Sequence, residues 1–196
     1  MKKIEIIWRE LLYQALEKSN RQFTQKNLAE KFNFSTSTIF QALKAPRKMG
    51  AVRVTGRFFV LEDPEKLLYH WASVRNLEKD IIFSTRVDLP ILEIEGRMPP
   101  DAVFGGYSSA RQKLAEPPAD YDKIYVYSRN LSEIKQRFGS QKGSENLIVL
   151  KPDGFLTDYG QTTSLAQTFV DLWNLPDWYA KEFTGALKTK IDELLS

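Results

Sequence analysis

The 196-residue chain has no cysteine and one histidine, His70. The first absence excludes a disulfide framework, thiol catalysis and any cysteine-ligated zinc or iron–sulfur site. The second argues against a histidine-rich metal centre and a histidine-based nucleophilic triad. No apolar run approaches the ~18 residues of a membrane span. The opening MKKIEIIWRELL is amphipathic and broken by charges, so it does not read as a signal peptide. A soluble, cytoplasmic protein is expected. Wholesale disorder is excluded as well, because 42% of residues are hydrophobic and 12% aromatic. The length admits one large domain or two small ones.

Aspartate is missing from residues 1–60, which hold 12 Lys+Arg against 4 Glu, a balance of +8. Residues 61–196 hold 16 Lys+Arg against 21 Asp+Glu, a balance of −5. A basic N-terminal third on an acidic remainder suggests a polyanion-binding module joined to something else.

Periodicity places a first helix over 3–18, with Ile4, Ile7, Trp8, Leu11, Leu12 and Ala15 on one face. Thr24 reads as the N-cap of a short helix over 25–32, and Ser35 as the N-cap of another over 36–44, ended by Pro46. Residues 51–61 (AVRVTGRFFVL) read as a hairpin turning at Thr55-Gly56. Asp63-Pro64 opens a helix reaching Asn76, with Leu67, Leu68, Trp71 and Val74 inward. Beyond it, strands are expected over 80–86, 91–95, 123–128 and 146–150. Helices are expected over 107–114, 131–138, 162–173 and 177–195. The domain boundaries follow: 1–62, a linking helix over 63–77, and a mixed α/β domain over 78–196.

The stretch TQKNLAEKFNFSTSTIFQAL, residues 24–43, carries the sharpest signal. Two short helices crossing over a tight turn need a small residue at the crossing, and Ala29 supplies it. Leu28, Phe32, Ile39 and Leu43 are the apolar anchors. Ser35 is chiefly a cap, with a phosphate contact secondary. Thr36, Ser37 and Thr38 are short polar side chains able to reach base edges and phosphates. Gln41 and Lys44 point outward; Arg47 and Lys48 follow. Gln41 suits adenine, and Arg53 and Arg57 on the hairpin suit the phosphate backbone. This segment resembles the winged helix-turn-helix of bacterial and archaeal regulators. That resemblance implies an α+β N-terminal module binding double-stranded DNA.

Two later segments stand out: AVFGGYSSARQKLAEPPADYDKIYVY (102–127) and TTSLAQTFVDLWNLPDWYAKEFTGAL (162–187). With the N-terminal segment they resemble the AbiEi family, the antitoxin and autorepressor half of AbiE-type toxin–antitoxin pairs. Gly105, Gly106, Tyr107 and Ser108 carry the first motif. Ser164, Ala166, Thr168, Val170, Asp171, Leu172 and Pro176 carry the second. The resemblance implies repression of the chain's own promoter by the winged helix, and antitoxicity from the C-terminal domain. It also implies a nucleotidyltransferase-like toxin, opposed without stable protein–protein binding. The C-terminal domain is then a degenerate nucleotidyltransferase-like fold, with no cofactor, metal or catalytic residue. Oligomeric state stays open.

A rival comes from the same residues. Gly105-Gly106 at a helix start could hold phosphates, and Asp120 and Asp122, with Asp153 as third carboxylate, could hold Mg²⁺ for nucleotidyl transfer. Against it, Asp120 and Asp122 also read as turn residues after Pro117-Pro118, and Asp153 lies in a KPDG turn. No P-loop, Gly-x-Ser-x-Gly or dinucleotide motif is present. Asp171 is expected to be satisfied within its own domain, and Trp173 and Trp178 to be core.

Overall fold

The computed structural model describes residues 1–196. Helices hold 52% of the residues and strands 14%, in two separate sheets, so the chain is mixed α+β. It divides into two compact units, Met1–Arg75 with Ile191–Ser196, and Asn76–Lys190. The helix expected to link two domains therefore groups with the first unit.

In the first unit, α1 (Lys3–Glu17), β1 (Gln22–Phe23), α2 (Gln25–Phe32) and α3 (Thr36–Lys48) are followed by β2 (Val52–Thr55), β3 (Phe58–Leu61) and α4 (Pro64–Val74). The sheet order is β1-β3-β2, antiparallel throughout. Two-residue β1 carries too little alternation to be read from sequence, and it exists by pairing Gln22 and Phe23 with Val60 and Phe59. The α2–α3 turn rests on local chemistry. Thr24 caps α2 by accepting the Asn27 N–H at 3.1 Å, and Asn33 ends it in the left-handed region at φ 49°. The Phe34 N–H then reaches back to the Ala29 carbonyl at 2.9 Å.

Pro46 does not end α3, contrary to the sequence expectation. The helix runs on to Lys48 and stops at Gly50, whose φ of +77° gives a Schellman end: Gly50 N–H bonds the Arg47 carbonyl and Ala51 N–H the Pro46 carbonyl. An internal proline leaves the carbonyl four residues earlier without its helical donor. That carbonyl is Ala42's, and the buried Trp8 indole of α1 donates to it at 2.7 Å.

The α1 face also buries charge that its apolar spacing did not reveal. Glu5 accepts the Trp71 indole N–H at 3.1 Å and lies 3.7 Å from the Arg75 guanidinium. Glu10 accepts Lys31 Nζ at 2.6 Å and Gln14 Nε2 at 2.9 Å. Removing one member of such a buried pair leaves an uncompensated charge, so both carboxylates pin their neighbours' register. Val74, expected inward, is 41% exposed, because Trp71 and Arg75 take the inner positions of that turn.

In the second unit, β4 (Ile81–Thr85), α5 (Ile91–Gly96), β5 (Val103–Gly105), α6 (Gly106–Lys113) and β6 (Ile124–Tyr127) come first. Then follow α7 (Leu131–Phe138), β7 (Leu147–Leu150), α8 (Leu165–Trp173) and α9 (Ala180–Leu195), whose residues from Ile191 onward group with the first unit. The sheet order is β4-β7-β6-β5, with β6 and β7 parallel and both outer pairings antiparallel. The central IYVY and LIVL runs are buried throughout, as strands covered on both faces are. One face, with Ile124, Val126, Leu147 and Val149, packs on Ile94 of α5 and Ile134 and Phe138 of α7. The strand expected at 91–95 is α5 instead. Pro90 starts it and only Ile94 is buried, so that segment has no alternating face to give a sheet.

The shared Ala42 carbonyl gives a direct test. Trp8→Phe should lower unfolding free energy by about 1–3 kcal/mol in urea titrations, because a buried carbonyl loses its donor. In a Pro46→Ala background, which restores a helical N–H, the same change should cost clearly less. Equal losses in both backgrounds would break the link between proline and indole.

His70 lies edge-on to Trp8, with ring centroids 5.0 Å apart, and burial lowers its pKa below 6.5. Between that lowered value and 6.5 the unfolded chain binds more protons than the folded one. His70 therefore contributes a stability that rises with pH through this window and is lost as pH falls. The one histidine C2–H resonance should titrate below pH 6.5 in proton NMR; a midpoint at or above 6.5 would contradict the burial.

Candidate functional site

The outer face of α3 is assembled by capping and burial together. Ser35 Oγ accepts the Thr38 N–H at 3.2 Å and lies 3.0 Å from the Ser37 and Thr38 hydroxyls, so it organises the first turn. Ile39, Ala42, Leu43 and Pro46 face inward. Thr36, Ser37, Gln41, Lys44, Arg47 and Lys48 are exposed, and Thr38 is half-buried. Ser37, Gln41, Lys44 and Lys48 recur at helical spacing and form one polar stripe. α3 contains no acidic residue, and Lys44 and Lys48 have no carboxylate partner.

One member of this face escaped sequence reading. Phe40 is 45% exposed beside Ser37 and Gln41, and the Arg47 guanidinium sits 5.9 Å from its ring centre. The available signal was its phase: it falls on the polar side of a helix whose apolar positions are 39, 42, 43 and 46.

The hairpin turns over Gly56-Arg57, since Thr55 pairs with Phe58. Gly56 takes φ +53° at the first turn position, as a type II′ turn requires. Arg57 stands exposed at the tip without an ion partner. Arg53 differs: its Nε and Nη2 lie 2.7 and 2.5 Å from Glu62 Oε1. The structure thus separates the two arginines that the sequence treated alike.

In the second unit, the two motif segments meet. α6 packs on α8, and their contact is a knot of hydroxyls: Ser109, Thr163 and Thr168 lie within 2.8–3.2 Å of one another. Asp171 is buried and accepts the Tyr127 hydroxyl at 2.5 Å, with Gln167 Nε2 at 3.5 Å. A surrounding aromatic cluster repeats the pattern. Tyr107 donates to Asp177 at 3.0 Å, Tyr179 to Asp122 at 2.5 Å and Tyr121 to Glu95 at 2.9 Å. Burial, with Glu95 beside it, pushes the Tyr121 phenol up to about 12; burial likewise raises Tyr107 and Tyr179. These hydroxyls therefore stay protonated donors near neutral pH. Trp173 and Trp178, expected in the core, are 51% and 77% exposed, because they flank the Asn174–Pro176 break where helix packing stops.

Gly105 and Gly106 have a packing role here. A Cβ on Gly105 would lie 2.9 Å from the Tyr127 ring, and one on Gly106, at φ +49°, 3.1 Å from Tyr125. Asp120 and Asp122 precede β6 rather than standing on it, and Asp122 holds Tyr179. Asp153 accepts the Phe155 N–H at 3.0 Å within its turn. The three carboxylates are not gathered: no group of three or more acidic or histidine side chains could hold a metal ion. No helix is long and apolar enough to cross a membrane. No protein-family model matches this chain, and no curated protein or solved structure matches it either.

If these glycines serve packing, Gly105→Ala should cost about 1–3 kcal/mol of stability, since its methyl meets the buried Tyr127 ring. Chemical denaturation measures this, and an unchanged midpoint would remove the packing role.

Proposed function

We propose that the first unit is a winged helix-turn-helix that binds double-stranded DNA, with α3 in the major groove and the β2–β3 hairpin as the wing. The observation that carries this reading is the acid-free outer face of α3, where Ser37, Gln41, Lys44 and Lys48 align and the lysines are unpaired. Phosphates supply the partner those cations lack, and helix N-termini favour the same anions. Gln41 suits the adenine edge, and Phe40 suits a thymine methyl beside it. Arg57 at the hairpin tip is the wing's phosphate contact. Arg53, neutralised by Glu62, contributes less.

The resemblance of 102–127 and 162–187 to the AbiEi family extends this to a cytoplasmic autorepressor that is also the antitoxin of an AbiE-like pair. Support comes from the packing of the two motif segments on each other, α6 against α8. The filled glycine turn and the dispersed Asp120, Asp122 and Asp153 do not favour nucleotidyl transfer.

Binding to labelled DNA from upstream of the coding sequence, with scrambled DNA as competitor at about 150 mM salt, tests the reading. A preference of roughly 10³-fold or more is expected; equal weak binding to both would overturn it. Arg57→Ala should weaken binding on all sequences and lower the salt slope by about 1, with Arg53→Ala changing it less. Gln41→Ala should cost about 1–3 kcal/mol on the preferred site only. For Phe40, the upstream fragment copied with dUTP in place of dTTP lacks every thymine methyl. The wild type should bind it more weakly, and Phe40→Ala should bind both copies alike. For the antitoxin half, co-expression should relieve the growth arrest caused by the neighbouring gene product; persistent arrest would remove that half alone.

A further inference from the structure

The sheet of the second unit has a second face, and one end of it is open. A cavity of about 460 Å³ lies there, floored by Ile81 of β4, Ile148 of β7 and Tyr125 of β6. Tyr125 and Ile148 are register partners across the parallel β6–β7 pair, so their side chains stand together on this face. The far wall is Leu175 and Pro176, from the break where α8 has ended and α9 has not begun. Such a volume and largely apolar lining are those of a small-molecule site.

The polar groups around the cavity select the ligand. Tyr125 is 6% exposed, yet its hydroxyl has no hydrogen-bond partner, although it lines the cavity. Its neighbours Tyr107, Tyr121, Tyr127 and Tyr179 all hold carboxylates, so Tyr125 is the exception in a cluster where every other phenol is used. Burial raises its pKa, which keeps the proton on. Glu78 and Glu145 stand at the rim without ion partners. The cavity's one cation, Lys123, is held by Asp177 at 2.5 Å. The unbalanced charge is therefore negative. An anionic ligand such as a nucleotide meets repulsion there, and a purely apolar one leaves the phenol unbonded.

We propose that this cavity binds a small organic cation, a protonated amine on an apolar or aromatic body. The body lies on Ile81, Ile148 and Leu175, and the ammonium lies toward Glu78 and Glu145. Tyr125 is the buried polar contact. This site is independent of the DNA-binding reading, since it uses none of its residues.

Calorimetric titration of the full chain with three probes of one shape tests the assignment: tryptamine, indole and indole-3-acetate. Tryptamine should bind saturably below about 5 mM, indole at least several-fold more weakly, and indole-3-acetate weakest. Tyr125→Phe should weaken tryptamine about tenfold without moving the thermal midpoint downward, because it removes only an unbonded hydroxyl. The double variant Glu78→Gln with Glu145→Gln should abolish the preference for tryptamine over indole. Ile148→Trp, which fills the floor, should abolish binding of all three. No saturable binding of tryptamine, indole-3-acetate equal to or tighter than tryptamine, or tryptamine binding unmoved in every variant would each overturn the proposal.

Discussion

The first unit turns on one carbonyl. Pro46 withholds the N–H that Ala42 would receive in an ordinary helix, and Trp8 supplies it from α1. A buried carbonyl without a donor is costly, so the indole and the proline are a matched pair. The consequence is positional. Because α1 grips α3 at Ala42, the opposite side of α3 is the side left to solvent, and that side carries Ser37, Phe40, Gln41, Lys44 and Lys48. Glu5 and Glu10 extend the same logic from α1 to α4 and α2, by holding Trp71 and Lys31.

The second unit solves a different problem. One central strand, β6, carries two tyrosines, Tyr107 stands on α6, and Tyr121 and Tyr179 lie just before β6 and α9; each phenol taken from water brings a polar atom that needs a partner. Asp171, Asp177, Asp122 and Glu95 do this from the surrounding helices and turns. The arrangement explains why acids occur beside aromatics in TFVDLW and LPDWY: Asp171 holds Tyr127 and Asp177 holds Tyr107. It also isolates Tyr125, whose hydroxyl alone in the cluster is left over at a cavity.

Much of the candidate DNA-binding face was legible in the sequence. Thr24 and Ser35 act as caps, Gly56 turns the hairpin, and Ile39 and Leu43 face inward, because each depends on chemistry within four residues. The less local features were not legible. Pro46 reads as a stop until a donor from thirty-eight residues earlier meets the carbonyl it orphans. Arg53 and Arg57 are equivalent in the string VRVTGR, and only the strand register brings Glu62 beside the first. Phe40 is apolar in type but polar in phase, since α3 buries positions 39, 42, 43 and 46 and leaves 40 among the exposed ones.

By itself the sequence determined the class of each unit: a basic, helix-rich N-terminal module with a hairpin, and a mixed domain of alternating strands and helices. Charge balance, capping residues and apolar period are properties of neighbours along the chain, so they survive without a fold. The tertiary structure alone decided which polar groups are spoken for. Gly105 and Gly106 became packing glycines because Tyr127 and Tyr125 lie across the sheet from them. Asp120, Asp122 and Asp153 stayed apart, and Arg53 was neutralised while Arg57 was not. Whether a charge or hydroxyl is free depends on atoms brought close through space, and a one-dimensional pattern does not contain that distance.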